Sequence, residues 1–546
     1  MSGLRDEFTD ELTDSQLEAV TRLEAFLADE NTQCFILKGY AGTGKTFLIR
    51  GLARYLDKQH KNAALMAPTG RAAMVLARRT SCPAYTIHKS IYILDRMVEI
   101  KDEEDEFKTF FSLREEANEE TSVIYIVDEA SMVSDIYSDS EFCQFGSGRL
   151  LADLIRYTRI GIGHLNPKII FVGDPAQLPP VNSAYSPALN ARYLQREHGL
   201  KTDEHVLSDV VRQEQESTIL QNATRIRTSI EQNLFNRFEI SCGPDTEIIR
   251  ERDIEERYFH STEIPPVEDR IVIAWRNRTV LSLNKILRTR MFGGSGEQPP
   301  QVGDRLIIVY NNATYGLFNG DFAEVAKVAP AEEIREVVRK QSRVQLSYRD
   351  VTLECLGQDG KPYLMDCKIL ENVLLSGERD ISRDEHIALY IDFKARNADL
   401  RPNTEQFSEA LRSDPYFNAL RVKYGYAITC NKAQGGEWPT AFVLFEDRHW
   451  TNQDAFRWAY TAITRAKQTL LAAAPPSFRP VPPPVTPVAG HRGTPASPVP
   501  PAAKGESAAE PFVVPFQTPL MLLPKGRSLT SSMSMGWSSP AVSRSL

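Results

Sequence analysis

Residues 39–50, GYAGTGKTFLIR, follow the apolar run Cys34-Phe35-Ile36-Leu37 and precede a stretch with helical spacing. The local order is therefore strand, glycine-rich loop, helix, a unit that belongs to few architectures. Gly39, Gly44, Lys45 and Thr46 fit G-x-x-x-x-G-K-[ST], with Gly42 and Thr43 inside the loop. Glycines let the backbone wrap a phosphate chain, with its N–H groups and the helix N-terminus aimed at negative charge. Lys45 then reaches the outer phosphates of a nucleoside triphosphate, and the Thr46 hydroxyl ligates Mg2+. A glycine-rich turn that binds nothing is the plain alternative, but it needs four coincident residues in the right strand–helix setting.

The rest of the body continues the pattern. TQCFILKG, AALMAP, VIYIVDE and KIIFVGD in the first half, and VIAW, YAITC, AFVLFE and TLLAAA in the second, are short apolar strands alternating with helical stretches. That alternation is the signature of parallel α/β domains, and two such series predict two α/β cores, over residues 1–200 and over 201–302 with 415–474. Between them, GDRLIIVYN, GLFNGDFAEV, SRVQLSYRD, VTLECLG and PYLMDCKIL are alternating strands with Gly/Asn/Asp turns, which predicts a small all-β barrel over residues 303–400, within an insert that runs with its arm to 414. From Pro475 to the end the composition changes: 16 of the chain's 33 prolines fall there, among Ser, Thr and Ala. Such a segment cannot bury enough apolar surface to offset its chain entropy, so a disordered tail is expected over 475–546. Its apolar island PFVVPFQTPLMLLP is either a docking site for a protein partner or a sticky unstructured stretch.

A chain of 546 residues is too long for one core and should hold three or four domains. Seven scattered cysteines with no C-x-x-C pair indicate neither a disulfide frame nor a zinc site, which suits a reducing cytoplasm. The acidic start MSGLRDEFTDELTD lacks the apolar core of a signal peptide, and no run is long enough to span a bilayer, so no membrane partner is expected. The net charge is −8; the tail holds six Lys/Arg against two Asp/Glu, a net +4 that leaves −12 for the body. This balance disfavours wholesale coating of nucleic acid but is compatible with one basic channel along a strand.

Two further strand ends carry chemistry. VIYIVDEASMV ends in adjacent carboxylates: Asp128 can hold Mg2+ through water, and Glu129 can orient and deprotonate an attacking water. KIIFVGDPAQLPPV places Gln177 after Asp174, and its amide can accept from a water and donate to a phosphate oxygen. A turn closed by Asp174 would account for GDP without accounting for the glutamine.

GYAGTGKT, APTGRAA (67–73), TIHKS (86–90), VDEAS, GDPAQLPP, VVRQ (210–213), YAITCNKAQGGEW (426–438) and YTAITRAKQTL (460–470) occur in the order found in superfamily 1 helicases. The chain most resembles the RecD/Dda/Pif-like, 5′-to-3′ group over roughly residues 10–474, with an arm closest in layout to the Dda type. The resemblance implies two RecA-like parallel-sheet domains, a β-hairpin insert in the first, and an SH3-like β-barrel plus helical arm in the second. It implies ATP and Mg2+ as cofactors, and single-stranded DNA and duplex junctions as partners. Arg212 and Arg465 match arginines that contact the γ-phosphate from the second core; the alternatives are a surface charge and a helix-end salt bridge. Gln16 matches a glutamine that reads adenine, or else is a solvated helix-start residue. Glu437 matches an acid that senses the ribose or its own loop. Thr69 and His88 in the first core, with Thr429, Lys432 and Gln434 in the second, match positions that touch the DNA backbone. Residues 91–119 fall where the group carries a strand-splitting pin, with Phe107, Phe110 or Phe111 stacking on the last base pair or else packing the hairpin onto the core. The implied activity is ATP-driven movement along single-stranded DNA with duplex unwinding. Its rivals are a translocase that strips bound proteins, and an ATP-dependent switch that recruits a partner through the tail.

Overall fold

The computed structural model describes residues 3–99, 107–114, 122–138, 143–162, 165–209, 217–259, 269–312, 314–339, 342–357, 360–402 and 404–479. The first part of the chain carries β1 (Cys34–Gly39), β2 (Asn62–Ala67), β3 (Ala84–Thr86), β4 (Tyr92–Glu99), β5 (Phe107–Leu113), β6 (Val123–Val127), β7 (Cys143–Phe145), β8 (Lys168–Gly173) and β9 (Thr202–Leu207). Six of these form one sheet in the order β3-β2-β6-β8-β1-β9, parallel throughout. Continuous apolar runs suit strands covered on both faces: Cys34, Phe35 and Ile36 of β1 and Ile169, Ile170 and Phe171 of β8 are fully buried. Because β9 pairs along the whole of β1, the first sheet runs past residue 200 to Leu207. The remaining three strands make a side sheet, β4-β5-β7, in which β4 and β5 are an antiparallel hairpin and β5 runs parallel to β7.

The second part carries β10 (Thr246–Ile249), β11 (Arg270–Ala274), β12 (Arg305–Ile308), β13 (Phe322–Val328), β14 (Glu333–Arg339), β15 (Ser342–Leu356), β16 (Pro362–Leu370), β17 (Leu420–Tyr424), β18 (Ala427–Thr429), β19 (Trp438–Leu444) and β20 (Ala466–Ala473). Strands β10-β20-β19-β11-β18 form a second, wholly parallel sheet. Between β11 and β18 the chain builds an insert, in which β15, β16, β17, β12 and β13 pair in a closed ring because β13 bonds both β12 and β15. Closure leaves no free edge within the ring, and β14 hangs on the first half of β15 as a hairpin. The ring takes its last strand from residues 420–424, beyond the boundary expected at 414. Helices Arg383–Arg396 and Glu405–Ser413 form the arm, packed around Phe393, Phe407 and Leu411.

A buried ion pair joins insert to core. Arg288, on helix Asn277–Phe292, donates to Asp304 just before β12 through Nε (2.8 Å) and NH2 (2.7 Å), and both side chains are fully buried. The expected tail boundary at Pro475 also shifts: Phe478 exchanges backbone hydrogen bonds with Phe238 (3.0 Å each), and Arg479 donates to both carboxylate oxygens of Glu239 (2.8 Å). Residues 475–479 are thus anchored to the second core. Among the described residues no helix is long and apolar enough to cross a membrane, and all seven cysteines are free.

Candidate active site

The phosphate loop runs off the C-terminal end of β1 into helix Lys45–Lys58. Gly42 (φ 75°) and Gly44 (φ 82°) take left-handed backbone, where a side chain is strained. Gly39 is required for space, since a Cβ there would lie 2.7 Å from Thr43 Oγ1 and 2.9 Å from Lys45 Cγ. The Thr43 hydroxyl donates to the Tyr40 carbonyl (2.9 Å), and the Lys45 ammonium donates to the carbonyls of Gly39 (2.8 Å) and Tyr40 (3.0 Å). Thr46 follows Lys45 in the first turn of the helix. Gln16 braces the loop from helix Asp14–Ala28: its Nε2 donates to the Thr43 carbonyl (3.0 Å) and its Oε1 accepts from Thr13 N–H (3.1 Å). Gln16 is therefore buried rather than solvated, and keeps one N–H and one lone pair for a base.

β6 delivers Asp128 and Glu129 beside this loop. Burial pushes Asp128 up to about 7, and the neighbouring Glu129 adds to the rise. Burial raises Glu129 too, opposed by the charges of Arg465 and Lys45. Glu129 sits at φ 50°, a left-handed conformation that costs a residue with a Cβ on the order of 1–3 kcal/mol and is typical of functional sites. Its Oε2 is buried without a hydrogen-bond partner among the described residues, as are Gln177 Oε1 and Ser131 Oγ. Such orphaned atoms cost about 1–3 kcal/mol each unless a ligand, water or hydrated cation satisfies them. This donor set fits a magnesium nucleotide: an ammonium and the N-terminus of helix Lys45–Lys58 for phosphate, with hydroxyl and carboxylate oxygens for the cation. Fully buried Asp174, at the end of β8, accepts from Ala176 N–H (2.9 Å) and from the Tyr460 hydroxyl (2.7 Å), with Lys45 Nζ 4.0 Å away.

The second core reaches the same place through helix Gln453–Ile463 and the turn after it. Arg465 is buried; its Nε donates to the Thr461 carbonyl (2.9 Å), NH1 to the Gly436 carbonyl (3.1 Å) and NH2 to Thr464 Oγ1 (3.2 Å). Among the described residues it has no ion-pair partner, which removes the helix-end salt bridge, while its positive charge acts on Glu129, Asp174 and Glu437. Arg212 lies outside the described residues. Burial pushes Glu437 up, but Arg79, Lys467 and Arg465 outweigh it and hold the carboxyl below its ordinary value. Glu437 pairs with Arg79 of the first core and with Lys467 (3.3 Å), so it links the cores. Gln434 does the same: buried, it donates from Nε2 to the Leu178 carbonyl (2.9 Å), which puts it between the cores rather than on an open face.

Of the other residues matched to DNA contacts, Thr69 caps helix Gly70–Thr80 by accepting from Ala72 N–H (3.2 Å) and still has a hydroxyl proton to give. His88 packs edge-on to Phe145 (5.1 Å) and against Tyr92 (5.6 Å), and burial lowers it to about 4, so it is neutral near pH 7. Thr429 ends β18, and Lys432 follows in a cleft it shares with Asn277, Lys423 and Thr429. Burial, with Lys423 and Arg379 nearby, brings Lys432 down to about 7.

The hairpin exists, but one of its aromatics is not available to a duplex. Phe111 lies flat on Phe145, with centroids 4.4 Å apart and planes at 14°, so its ring packs the hairpin onto the first core. Phe110 stands 5.9 Å from the Lys108 ammonium, and Phe107 pairs through its backbone with Glu99 at the far rung. Sequence reasoning missed Asp174, Tyr460 and Thr461 as members of the site. For Tyr460 and Thr461 a signal was there: two adjacent hydroxyls in AFRWAYTAI, apolar but for them and Arg457, need buried partners.

Residues 22–183 match the model of an AAA domain, and residues 424–472 that of a UvrD-like helicase C-terminal domain. One match falls in each of the two parallel-sheet cores, the first over the phosphate loop and the second over the turn that carries Arg465. It is 22% identical over 514 residues to the uncharacterized protein R530 of Acanthamoeba polyphaga mimivirus, covering 84% of this chain and 98% of that protein. Among solved structures it is similar to the Pif1 helicase from Bacteroides in complex with ADP-AlF3 and single-stranded DNA (16% identity, TM-score 0.42, 85% of this chain and 93% of that one). It is also similar to the Pif1 helicase from Candida albicans (14% identity, TM-score 0.41, 85% and 95%).

Proposed function

We propose that this chain hydrolyses ATP to move along single-stranded DNA, 5′ to 3′, and to separate duplex strands at junctions. The observation that carries the proposal is a single cluster built from both cores: Lys45, Glu129 and Asp174 from the first, Tyr460 and Arg465 from the second. Lys45 holds the outer phosphates, Gln16 the adenine edge, and Glu129 takes the proton of the attacking water that Gln177 orients. Thr46 and Asp128 would hold Mg2+, which neutralises charge on the phosphates. Arg465, with Arg212 as its proposed companion, supplies positive charge only when the cores close, and Glu437 and Gln434 link that closure to the first core. Thr69, His88, Thr429 and Lys432 face the strand: hydroxyls and an ammonium suit phosphate and sugar, and a neutral imidazole serves as a donor or a stacking face. A reducing compartment such as the cytoplasm suits the free cysteines. The packed ring of Phe111 favours one second reading, a translocase that displaces bound proteins with little unwinding. The test is ATP turnover with and without single-stranded DNA: the proposal expects stimulation of about tenfold or more, and a rate indifferent to DNA contradicts it.

A further inference from the structure

One buried group of this cluster is given no chemical role above. Tyr460, on helix Gln453–Ile463 of the second core, is 1% exposed, and its hydroxyl projects into the first core. It accepts from the Ala41 N–H of the phosphate loop (2.9 Å) and donates to Asp174 Oδ2 (2.7 Å). Asp174 is in turn 4.0 Å from Lys45 Nζ, and its other oxygen is held by Ala176 N–H (2.9 Å). A single hydroxyl thus ties together the loop, the loop's cation and the carboxylate at the end of β8. The neighbouring contacts point the same way. Thr461 Oγ1 accepts from Leu178 N–H (2.9 Å), next to Gln177, and Arg227 of helix Thr218–Glu231 lies over the ring of Tyr40, 4.2 Å from its centroid. Burial pushes the Tyr460 hydroxyl well above its ordinary pKa, so it keeps its proton and remains a donor.

We propose that Tyr460 is the positioning residue through which the second core sets the phosphate loop and Lys45 for hydrolysis, acting through Asp174 and the Ala41 amide. It touches no reacting atom. A phenylalanine would keep the packing but leave a buried carboxylate short of one donor and a loop N–H without its acceptor. Asp174, less well satisfied, would draw more strongly on the Lys45 ammonium, and movement of the second core would no longer be transmitted to the loop. The inference rests on the hydrolytic reading above.

The test compares Tyr460→Phe with Arg457→Met, which removes a different inter-core bond from the same helix, Arg457 NH1 to the Ala184 carbonyl (2.8 Å). Four quantities are measured on the full chain: kcat at saturating single-stranded DNA, KM for ATP, affinity for a fluorescent ADP without DNA, and melting temperature. Tyr460→Phe should lose about tenfold or more in kcat, with ADP affinity and melting temperature close to wild type, and Arg457→Met should keep kcat within about threefold. Asp174→Asn, which alters the same link from the other side, should reproduce the loss of kcat should the tyrosine variant fold poorly. A Tyr460→Phe rate equal to wild type overturns the inference. So do equal losses in both helix variants with ADP affinity falling alongside, since Tyr460 would then merely pack the cores. A wild-type chain without ATP turnover defeats the hydrolytic reading itself, and this inference with it.

Discussion

Glu129 combines a left-handed backbone, a buried oxygen without a hydrogen-bond partner among the described residues and a raised affinity for protons, features that fit the general base proposed for it. Glu129→Gln keeps the shape but cannot take a proton from water, so it should bind nucleotide normally and lose about 10²–10⁴ in turnover; loss of nucleotide binding instead would assign the carboxylate to another role. Arg465→Ala should leave ATP affinity nearly intact and cut the rate by about 10³–10⁵, read from steady-state kinetics. Lys432 makes a prediction in pH. With its pKa brought down to about 7, it is half neutral in the free protein at neutral pH, whereas a DNA phosphate favours the charged form. Binding therefore takes up a proton above pH 7, and single-strand affinity should fall from pH 7 to 9 by at most about tenfold per unit. Lys432→Arg, always charged, should flatten that slope in a fluorescence-anisotropy titration; an unchanged slope would take Lys432 out of the DNA contact. The gathering of Lys45, Thr46, Asp128 and Glu129 was legible in the sequence because strand ends and loop motifs set it locally. The inter-core bonds of Gln434 and Tyr460 were not, because their partners, Leu178 and Asp174, lie more than 250 positions away and only packing brings them together.

At the scale of elements, strand existence followed apolar runs and failed where composition misleads. EIREVVR, rich in helix formers, becomes β14 because the long strand β15 offers it a ladder of hydrogen bonds. TDEHVL, polar and short, becomes β9 at the edge of the first sheet, where one side of a strand faces away from neighbours. Within the hairpin, Phe111 stacks on Phe145, and Phe107 and Phe110 are the rings left for the proposed strand separation. Phe111→Ala should destabilise the first core by about 3 kcal/mol, seen as a lowered denaturation midpoint. Changing Phe107 and Phe110 to Ala should leave the midpoint and the DNA-stimulated ATPase near wild type while reducing unwinding of a forked duplex; equal loss of both activities would mean these rings only support the fold. The buried pair between core and insert is open to a direct stability test. Arg288 also donates to the carbonyls of Gly296 (2.7 Å), Gln298 (2.9 Å) and Pro299 (3.1 Å), and Asp304 accepts from the Tyr426 hydroxyl (2.9 Å). Asp304→Ala strands a buried guanidinium and should cost about 3–5 kcal/mol, measured by chemical denaturation.

Over the whole molecule, one core carries the phosphate loop with Asp128 and Glu129, and the other brings Tyr460 and Arg465 to it and bears Thr429 and Lys432, the residues proposed to face a strand. The barrel and arm are inserted between β11 and β18, so they hang from the core that bears Thr429 and Lys432. All described members of the site precede Arg479, so removing residues 480–546 should leave DNA-stimulated ATPase intact. The central claim, that two cores spend ATP to move one way along a single strand and split the duplex ahead, is tested most directly by strand displacement from duplexes with a 5′ or a 3′ single-stranded tail, for wild type and Lys45→Ala. Displacement by the wild type from the 5′-tailed substrate alone, abolished in Lys45→Ala, is the predicted result. No ATP-dependent displacement from either substrate, or displacement that persists without the Lys45 ammonium, would contradict it.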